Sequence, residues 1–344
     1  MKSLLIAAFA LTAAASLPAF ANDTMSQLGT GGLIFLTSQD VSMDSEDLSV
    51  GPKQVKVVYE FTNHSKDDQH ALVAFPLPDI TGDGDFMVSI PTEDPANFFG
   101  FETIFDGKAV ESELHQYAFS VGVDQTALLT SLNVPLAPFG EDTIKALNAL
   151  APADQEKLIH LGMVIPMTYD AGQGEQTDYT PVWTLKSTYT WEADFKAGAT
   201  AEVVHTYVPS VGGTVATTFL VPPMDKTDED RPAAYKKKYC TDDNLIKTLK
   251  TSLKDKGDLY SAPYVESWIS YIWSTGSNWS GSIGKFHLTI DKGDPKNLVS
   301  FCWDGKVTKT GPTTFEMDAT DWYPPYGQEL EIMILNHQEP ENAG

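Results

Sequence analysis

The chain has 344 residues, of which 47 are Asp or Glu and 23 are Lys or Arg, so its formal charge at pH 7 is −24. Hydrophobic residues make up 42% of the sequence and aromatic residues 11%, which excludes an intrinsically disordered chain, because so much apolar surface can be buried to offset the entropy lost on ordering. The acidity argues against nucleic acid as a partner, since proteins neutralise phosphates mainly with Lys and Arg.

The first 21 residues have the pattern of a secretory signal peptide. Lys2 provides a short positive segment, and residues 4–17 form an apolar run that is too short to span a bilayer comfortably. Ala19-Phe20-Ala21 matches the small-x-small pattern that precedes a cleavage site. We therefore predict cleavage after Ala21 and a periplasmic or secreted protein. We predict no membrane span in the mature chain, because no later run approaches about 20 apolar residues.

Extended segments dominate the rest of the chain. Runs rich in β-branched and aromatic residues alternate with polar turns, and Asp106-Gly107 is a typical hairpin turn. The sequence predicts strands over residues 55–62, 71–75, 101–105, 109–114, 184–192, 201–207, 264–274, 283–290, 298–303, 313–318 and 329–335. Many short strands without strand–helix alternation favour a mainly β fold with two sandwich-like antiparallel β domains.

The segment from Asp79 to Asp85 is the most metal-like in the chain. Asp79, Asp83 and Asp85 surround two flexible glycines, and their carboxylates can fold toward a hard cation such as Ca²⁺. The spacing departs from that of an EF-hand loop. A Gly/Asp turn after the strand that ends at Pro76 explains the same residues without a metal. Apart from this Ca²⁺ hypothesis, we expect no cofactor.

Residues 124–161 differ from the β-rich segments around them. They are rich in Ala and Leu and contain candidate helix starts at Asp124, Asp142 and Pro152. We therefore predict a helical insertion near 124–161 in the first β domain.

A change in charge divides the chain. Residues 22–230 hold 32 acidic residues and 9 lysines, a net charge of −23, whereas residues 231–344 hold 15 acidic and 13 basic residues, a net charge of −2. The change falls in a stretch rich in proline and charge, which is typical of a linker. We predict an acidic N-terminal β domain at 22–221, a linker at 222–234, and a C-terminal β domain at 235–344 that opens with a short basic helix.

Lysines cluster directly after this linker, at positions 236, 237, 238, 247, 250, 254 and 256. One interpretation is a cationic face for an anionic partner. The other is that these lysines solvate a helix over about residues 242–254, or lie against the acidic first part of the chain. The second interpretation is favoured, because lysine runs are usually solvated faces.

The two cysteines, Cys240 and Cys302, are 62 residues apart. An exported chain with an even number of cysteines favours a disulfide, which stabilises a loop of this length by about 4 kcal/mol in the chain-entropy model. A catalytic or metal-binding cysteine requires a Cys-x-x-Cys spacing or a thiolate-stabilising neighbourhood, and the sequence contains neither. We therefore predict a structural disulfide.

Residues 260–279 form the densest aromatic run. In a strand, Tyr264, Glu266 and Trp268 share one face, and an exposed face of this kind could stack on a sugar ring. The opposite face is also apolar, which favours a strand buried on both sides. Trp279 follows in a Gly/Ser/Asn loop, so we expect it to be the most exposed aromatic residue. Because loops often carry function, Asn278, Trp279 and Lys285 are ligand-binding candidates.

Several segments resemble an exported bacterial family known as domain of unknown function 4424. The similarity lies in residues 22–33, 43–48, 73–78 (VAFPLP), 239–242 (YCTD) and most specifically 271–286 (YIWSTGSNWSGSIGKF). It extends over nearly the whole mature chain, to about residue 335. The resemblance implies export and domain extent, but no activity, because the family has no assigned reaction or ligand.

The functional hypotheses belong to different classes. The sequence contains no Gly-x-Ser-x-Gly elbow, phosphate-binding glycine loop or dinucleotide motif. It therefore favours an exported, non-catalytic β protein that binds a small ligand or an envelope protein. The alternative is an exported carboxylate-dependent hydrolase acting on glycan or ester. That enzyme requires a cleft with two carboxyl groups about 5–10 Å apart, one with a raised pKa. A third hypothesis is a Ca²⁺-stabilised surface module.

Overall fold

A computed structural model describes residues 22–29, 32–82, 87–88, 91, 97–170, 172, 174–221, 230–253, 263–325 and 328–338. The chain is mainly β, with several antiparallel sheets and few helices, as the sequence predicts.

Twenty-two strands are described. Before the predicted linker they are β1 (Thr24–Gly29), β2 (Gly32–Leu36), β3 (Val41–Gly51), β4 (Gln54–Asn63), β5 (Gln69–Pro76), β6 (Ile80–Thr81), β7 (Met87–Val88), β8 (Glu102–Phe105), β9 (Lys108–Val110), β10 (Glu113–Ser120), β11 (Val123–Asp124), β12 (Val164–Asp170), β13 (Glu175–Pro181), β14 (Thr184–Phe195), β15 (Thr200–Tyr207) and β16 (Gly212–Gly213). After it they are β17 (Tyr264–Tyr271), β18 (Ile283–Asp291), β19 (Leu298–Phe301), β20 (Thr308–Lys309), β21 (Thr314–Trp322) and β22 (Leu330–His337).

The described α-helices are α1 (Thr126–Ser131), α2 (Glu141–Asn148), α3 (Pro152–His160), α4 (Arg231–Tyr239) and α5 (Asp243–Leu253). Short 3₁₀ turns lie at Thr218–Leu220 and Ser274–Asn278. None of the helices in these described ranges combines the length and apolar character needed to cross a bilayer.

Alternating side chains explain the position of the strands. In β4, Val55, Val57, Tyr59 and Phe61 are buried, while the residues between them face outward or are half-buried, which is the period of a strand with one face on the core. The predicted turn at Asp106-Gly107 joins β8 to β9 with positive φ at both residues. This confirms the predicted hairpin, because two-residue hairpin turns favour such backbone angles.

The largest sheet has eight strands in the order β20-β21-β18-β3-β4-β15-β8-β9. Its β3–β18 pair is parallel, with Leu48 opposite Leu288, and it joins strands from both sides of the predicted linker. Residues from both sides also share one hydrophobic core, including Val57, Trp191 and Ile269. The predicted division at 222–234 therefore does not separate two cores, because this strand pair merges them.

Two other sheets enclose this core. One has the strand order β11-β10-β14-β5-β1-β2, with β6 also paired to β14, and the other has the order β19-β22-β17-β16-β7. The helices α1, α2 and α3 lie within the range predicted for the helical insertion. They pack Leu129, Leu147 and Leu158 around Trp183 in a smaller core. The β12–β13 hairpin that follows them was not predicted from the sequence.

The helices α4 and α5 pack near β19 and β22. α4 begins at Arg231, inside the predicted linker, because the Asp230 side chain caps it by accepting from the Ala233 N–H and Pro232 fits its first turn. This helix therefore starts within the segment predicted as a linker, and residues 222–229 of that segment lie outside the described range. A disulfide between Cys240 and Cys302 joins the end of α4 to the segment after β19.

Candidate functional site

The first three described residues are inserted in the protein core. Asn22, Asp23 and Thr24 are each 0% exposed, although all three are polar. Buried polar groups are costly unless they find hydrogen-bonding partners. The position of this segment therefore depends on the hydrogen-bonding partners of its polar groups.

Residues 273–279 form hydrogen bonds with each of Asn22, Asp23 and Thr24. Thr275 donates its hydroxyl hydrogen to the Asn22 carbonyl, and the Trp279 indole Nε1–H donates to the Asp23 carbonyl over 2.6 Å. The Asn278 amide donates to the Thr24 hydroxyl at 3.1 Å. The most specific part of the family-like sequence therefore forms a receptor for the start of the described chain. We call residues 273–279 the receptor segment.

A buried polar cluster surrounds Asn22. Its amide Nδ2 donates to Glu46 at 3.0 Å, and its Oδ1 accepts from the Tyr59 hydroxyl. Tyr271 donates to the other Glu46 oxygen at 3.3 Å and also contacts the Tyr59 hydroxyl. Burial raises the pKa of Glu46 to about 8, although hydrogen bonds from Asn22 and Tyr271 oppose this shift. Burial likewise holds the pKa values of Tyr59 and Tyr271 well above the ordinary range.

Asp23 begins a second hydrogen-bonded chain. Both of its carboxylate oxygens lie 3.1 Å from His205 Nε2, and both side chains are completely buried. His205 Nδ1 lies 3.2 Å from the Thr103 hydroxyl, which is 2.9 Å from that of Ser112. Burial raises the pKa of Asp23, and His205 opposes the shift. We call these two connected networks the buried cluster.

The buried cluster contains chemistry that is familiar from enzymes, but it is closed. Asp23 and Glu46 are two neighbouring carboxyl groups, and an Asp–His–Thr series is also present. Asp23, Glu46 and His205 are at most 1% exposed, and Thr103 is 2% exposed. A substrate must reach hydrogen-bonding distance of a catalytic group. As folded here, this arrangement can hold the N-terminal segment but cannot admit a substrate.

The prediction that Trp279 is exposed is wrong, because its side chain is 2% exposed. Its ring packs against Phe61 and Phe195, with centroids 4.4 and 5.9 Å away, while its nitrogen is satisfied by the Asp23 carbonyl. The loop is polar because it binds the chain's own backbone. Asn278 is half-buried by the same contacts.

Lys285 lies apart from the buried cluster, with its side chain exposed on β18. It borders a shallow depression of about 310 Å³ that also includes Asp47, His287 and Asp318. The structure therefore does not bring Lys285 together with Asn278 and Trp279 in one open site. The ligand-binding roles assigned to these three residues stay predictions.

A more enclosed cleft lies where β5–β6, the β15–β16 connection and β17 meet. It has a volume of about 180 Å³. Its lining consists of Leu77, Pro78, Asp79, Ile80, Thr81, Phe99, Tyr207, Pro209, Ser210, Gly212, Trp268 and Ser270. We call it the Trp268 cleft. Aromatic walls with a few polar groups are characteristic of small-molecule sites.

The described polar groups of the Trp268 cleft are mostly neutral. Among the described residues that line it, Asp79 carries the only charged side chain, which pairs with Lys186 at 2.7 Å, with both side chains about one-third exposed. Tyr207 is 3% exposed, and burial raises the pKa of its hydroxyl well above the ordinary range. Gly212 lies against Trp268, since a Cβ there would be 3.1 Å from the indole ring. The cleft thus offers a partly neutralised carboxylate, hydroxyl groups and an aromatic wall.

Glu266, which was expected to share a strand face with Tyr264 and Trp268, directs its carboxylate to partners within the protein. It is buried and accepts hydrogen bonds from the Phe219 N–H at 3.0 Å and the Tyr235 hydroxyl at 2.9 Å. It therefore joins β17 to α4. Burial raises its pKa, and these hydrogen bonds oppose the shift.

The described residues provide no arrangement of ligands that supports the Ca²⁺ hypothesis. Asp79 is bound to Lys186, whereas Asp83 and Asp85 lie outside the described residues. Within the ranges given above, no group of three or more His, Cys, Asp or Glu side chains could hold a metal ion. The Ca²⁺ site stays a prediction.

A family model described as a domain of unknown function (DUF4424) matches residues 21–333. The chain belongs to the DUF4424 family. No curated protein gives a significant match to this DUF4424 chain.

Two solved structures resemble the DUF4424 chain at low sequence identity. A crystal structure described as a "putative nutrient binding protein" from Legionella pneumophila subsp. pneumophila str. Philadelphia 1 is 12% identical, with a TM-score of 0.47, and the match covers 92% of this chain and 70% of that one. A two-domain M1 zinc metallopeptidase mutant bound to L-tryptophan is 10% identical, with a TM-score of 0.25, and the match covers 88% of this chain. The DUF4424 chain spans 44% of that metallopeptidase.

Sequence reasoning missed most of both sites in this DUF4424 protein. It identified Trp268 and Asp79 for other reasons, and it did not connect Asn22 or Glu46 with residues more than 200 positions away. One usable signal was present, because the Thr275-Gly276 pair in the receptor segment combines a hydroxyl donor with a glycine at a close approach. The residue that this pair contacts, Asn22, could not be predicted from the sequence.

Proposed function

We propose that this DUF4424 protein is an exported, non-catalytic protein of the cell envelope that binds a small solute in the Trp268 cleft. The observation that carries this proposal is the combination of Trp268, Phe99 and Tyr207 with a few hydroxyl groups in one enclosed cleft of about 180 Å³. A flat ring can bind there by stacking on an aromatic face, while the hydroxyl groups fix its orientation.

The charge of the cleft limits the class of solute. Asp79 brings a carboxylate, and Lys186 offsets it only in part because its ammonium is partly exposed. The whole chain also carries a formal charge of −24, which repels anions. We therefore propose a neutral polyhydroxyl solute, such as a monosaccharide, or a small organic cation.

Export is part of the proposal. The leader pattern in residues 1–21 supports cleavage after Ala21. The Cys240–Cys302 disulfide is consistent with an oxidising compartment outside the cytoplasm.

Burial of the carboxyl pair favours binding over hydrolysis. The hydrolase alternative requires two carboxyl groups in a cleft that substrate can enter. Asp23 and Glu46 have raised pKa values but lie in the core, and Asp79 is the single carboxylate among the described residues that line the Trp268 cleft.

The proposal is tested first by native mass spectrometry of the protein purified from its own exported fraction. A bound solute of the proposed class would support it. Tryptophan fluorescence titrations with a panel of monosaccharides and small amines then give the affinity of the wild type and of Trp268→Ala. We expect the substitution to weaken binding at least about tenfold, because it removes the stacking surface.

Tyr323→Ala is the matched control, since Tyr323 is an aromatic residue that is 60% exposed and does not line the cleft. It should leave the affinity unchanged. Equal affinity of Trp268→Ala and the wild type would place binding elsewhere. Turnover of a glycan or ester by the purified protein would instead support the hydrolase.

A further inference from the structure

The buried cluster holds more acidic than basic side chains. Asp23 and Glu46 are its two carboxyl groups, and His205 is the basic side chain bonded to Asp23. Among the described residues, no lysine or arginine forms an ion pair with either carboxyl group. A buried carboxylate without a counter-charge is costly, and the raised pKa of Glu46 reflects this cost.

Asn22 contacts Glu46 and directly precedes Asp23, so it lies next to both acidic residues. Its side chain donates to Glu46, its carbonyl accepts from Thr275, and its Oδ1 also accepts from the Asp23 N–H at 3.1 Å. Gly276 leaves just enough space for it, since a Cβ there would lie 2.7 Å from Asn22 Nδ2. Its position is therefore fixed from several sides. The α-nitrogen of Asn22 is separated by only a few covalent bonds from the amide that touches Glu46.

We propose that removal of the leader places a new α-ammonium group at Asn22 in the buried cluster, where it is the counter-charge of Glu46. This inference rests on the cleavage after Ala21 that is part of the proposed function. The receptor segment then acts as a binding site for the processed N-terminus. Leader removal becomes a maturation step that stabilises the fold.

The chemistry of this step is simple. A leader peptidase hydrolyses the Ala21–Asn22 peptide bond with one water molecule, which leaves a carboxylate on Ala21 and an amine on Asn22. An α-amine has an ordinary pKa of about 7.7–8.0, so it takes up a proton at neutral pH. In the unprocessed chain the same nitrogen is a neutral amide. Processing therefore adds one positive charge beside two buried carboxyl groups and one imidazole.

The test compares two N-termini in the full mature chain, produced with its disulfide formed. One protein begins at Asn22 and the other begins at Ala21, so that the ammonium moves by one residue. Each is made with Glu46 and with Glu46→Gln, and the midpoint of thermal unfolding is measured. We expect the extra residue to lower the midpoint by about 5 °C or more with Glu46 present, and by much less in Glu46→Gln, since the charge that needs the ammonium is gone.

Glu60→Gln is the matched control, because Glu60 is an exposed carboxylate on the neighbouring strand β4. The extra residue should lower the midpoint of thermal unfolding by the same amount in this variant as in the wild type. An equal cost in Glu46→Gln and the wild type would mean that the extra residue acts by steric hindrance, and no cost at all would mean that the ammonium lies outside the cluster. Either result overturns the inference.

A second measurement does not depend on Glu46→Gln folding. The α-amine of the protein that begins at Asn22 should react with acetic anhydride at least about tenfold more slowly than the free peptide Asn-Asp-Thr-Met-Ser, because it is buried and protonated. Equal rates would contradict the inference. N-terminal sequencing of the exported protein separates the two proposals. A start at a residue other than Asn22 overturns the cleavage assignment, whereas a start at Asn22 with equal reaction rates overturns only the counter-charge.

Discussion

The indole nitrogen of Trp279 donates a hydrogen bond to the backbone carbonyl of Asp23 over 2.6 Å. This contact joins residues 256 positions apart in sequence and is buried on both sides. A strand pair in the core also links distant segments, since β3 and β18 are parallel neighbours. The early and late parts of the chain are thus held together by side-chain contacts as well as by a sheet, and the first prediction follows from the Trp279 contact.

Trp279→Phe should destabilise the protein by about 1–3 kcal/mol. The phenyl ring keeps part of the packing against Phe61 and Phe195, but the buried Asp23 carbonyl loses its donor, and an unsatisfied buried acceptor carries a cost of this size. Urea unfolding measures the change. Trp322→Phe shortens a half-buried tryptophan whose ring packs against Trp273 and Phe286, and it is the control for lost packing area. An equal or smaller loss in Trp279→Phe than in Trp322→Phe would contradict the importance of this hydrogen bond.

Gly276→Ala should also destabilise the fold, by about 1–3 kcal/mol, because an added methyl group overpacks the core. The new Cβ would lie 2.7 Å from Asn22 Nδ2 and 3.0 Å from Ile283 Cδ1. Asn22 would have to move, which also weakens its contact with Glu46. Thermal unfolding of Gly276→Ala and of the nearby half-buried control Ser282→Ala gives the comparison. Equal midpoints would show that the receptor segment tolerates a displaced Asn22.

Local patterns in the sequence predicted much of the secondary structure. β4 and β15 were predicted because their segments are rich in β-branched and aromatic residues and are bounded by turns, and the β8–β9 hairpin because Asp106-Gly107 fits a two-residue turn. These features depend only on neighbouring residues. The parallel β3–β18 pair could not be predicted in this way, because no local pattern identifies the partner of a strand.

The candidate sites were harder to predict for a related reason. Asn22-Asp23-Thr24 is polar, and a polar segment after a leader normally suggests exposure. Its burial depends on partners such as Thr275 and Trp279, which are known only once the chain is folded. Trp279 was expected to be exposed because its loop is rich in Gly, Ser and Asn. Such a composition is common in solvent-exposed loops, but it also suits a loop that hydrogen-bonds to the backbone of another segment.

The disulfide should contribute substantially to stability. The double variant Cys240→Ser/Cys302→Ser is expected to lose up to about 4 kcal/mol, because the bridge closes a loop of 62 residues and so restricts the unfolded chain. The loss should be greatest around α4, which the bridge joins to the segment after β19. Urea unfolding gives the total change, and hydrogen exchange locates it. Wild-type protein treated with a reductant is the control and should approach the variant. An unchanged urea midpoint in the variant would contradict the prediction.

Glu329 should make the stability of the protein depend on pH. It accepts hydrogen bonds from the Trp273 N–H at 2.9 Å and the Ser274 hydroxyl at 2.7 Å, and burial raises its pKa from 4.5 to about 7 in spite of them. The folded state therefore holds a proton that the unfolded state releases. Its contribution to the free energy of unfolding is fully present below about pH 4.5 and falls as the pH rises toward 7.

Glu329→Gln stays neutral at every pH and keeps an oxygen that can accept from Trp273 and Ser274. The difference in unfolding free energy, wild type minus variant, should therefore decrease between pH 4.5 and 7. Urea unfolding at several pH values in this range measures it. Glu111→Gln changes an exposed carboxylate and should follow the wild-type curve more closely. A difference that stays constant or increases with pH would mean that the Glu329 side chain is already charged in the folded protein, with its hydrogen bonds outweighing the effect of burial.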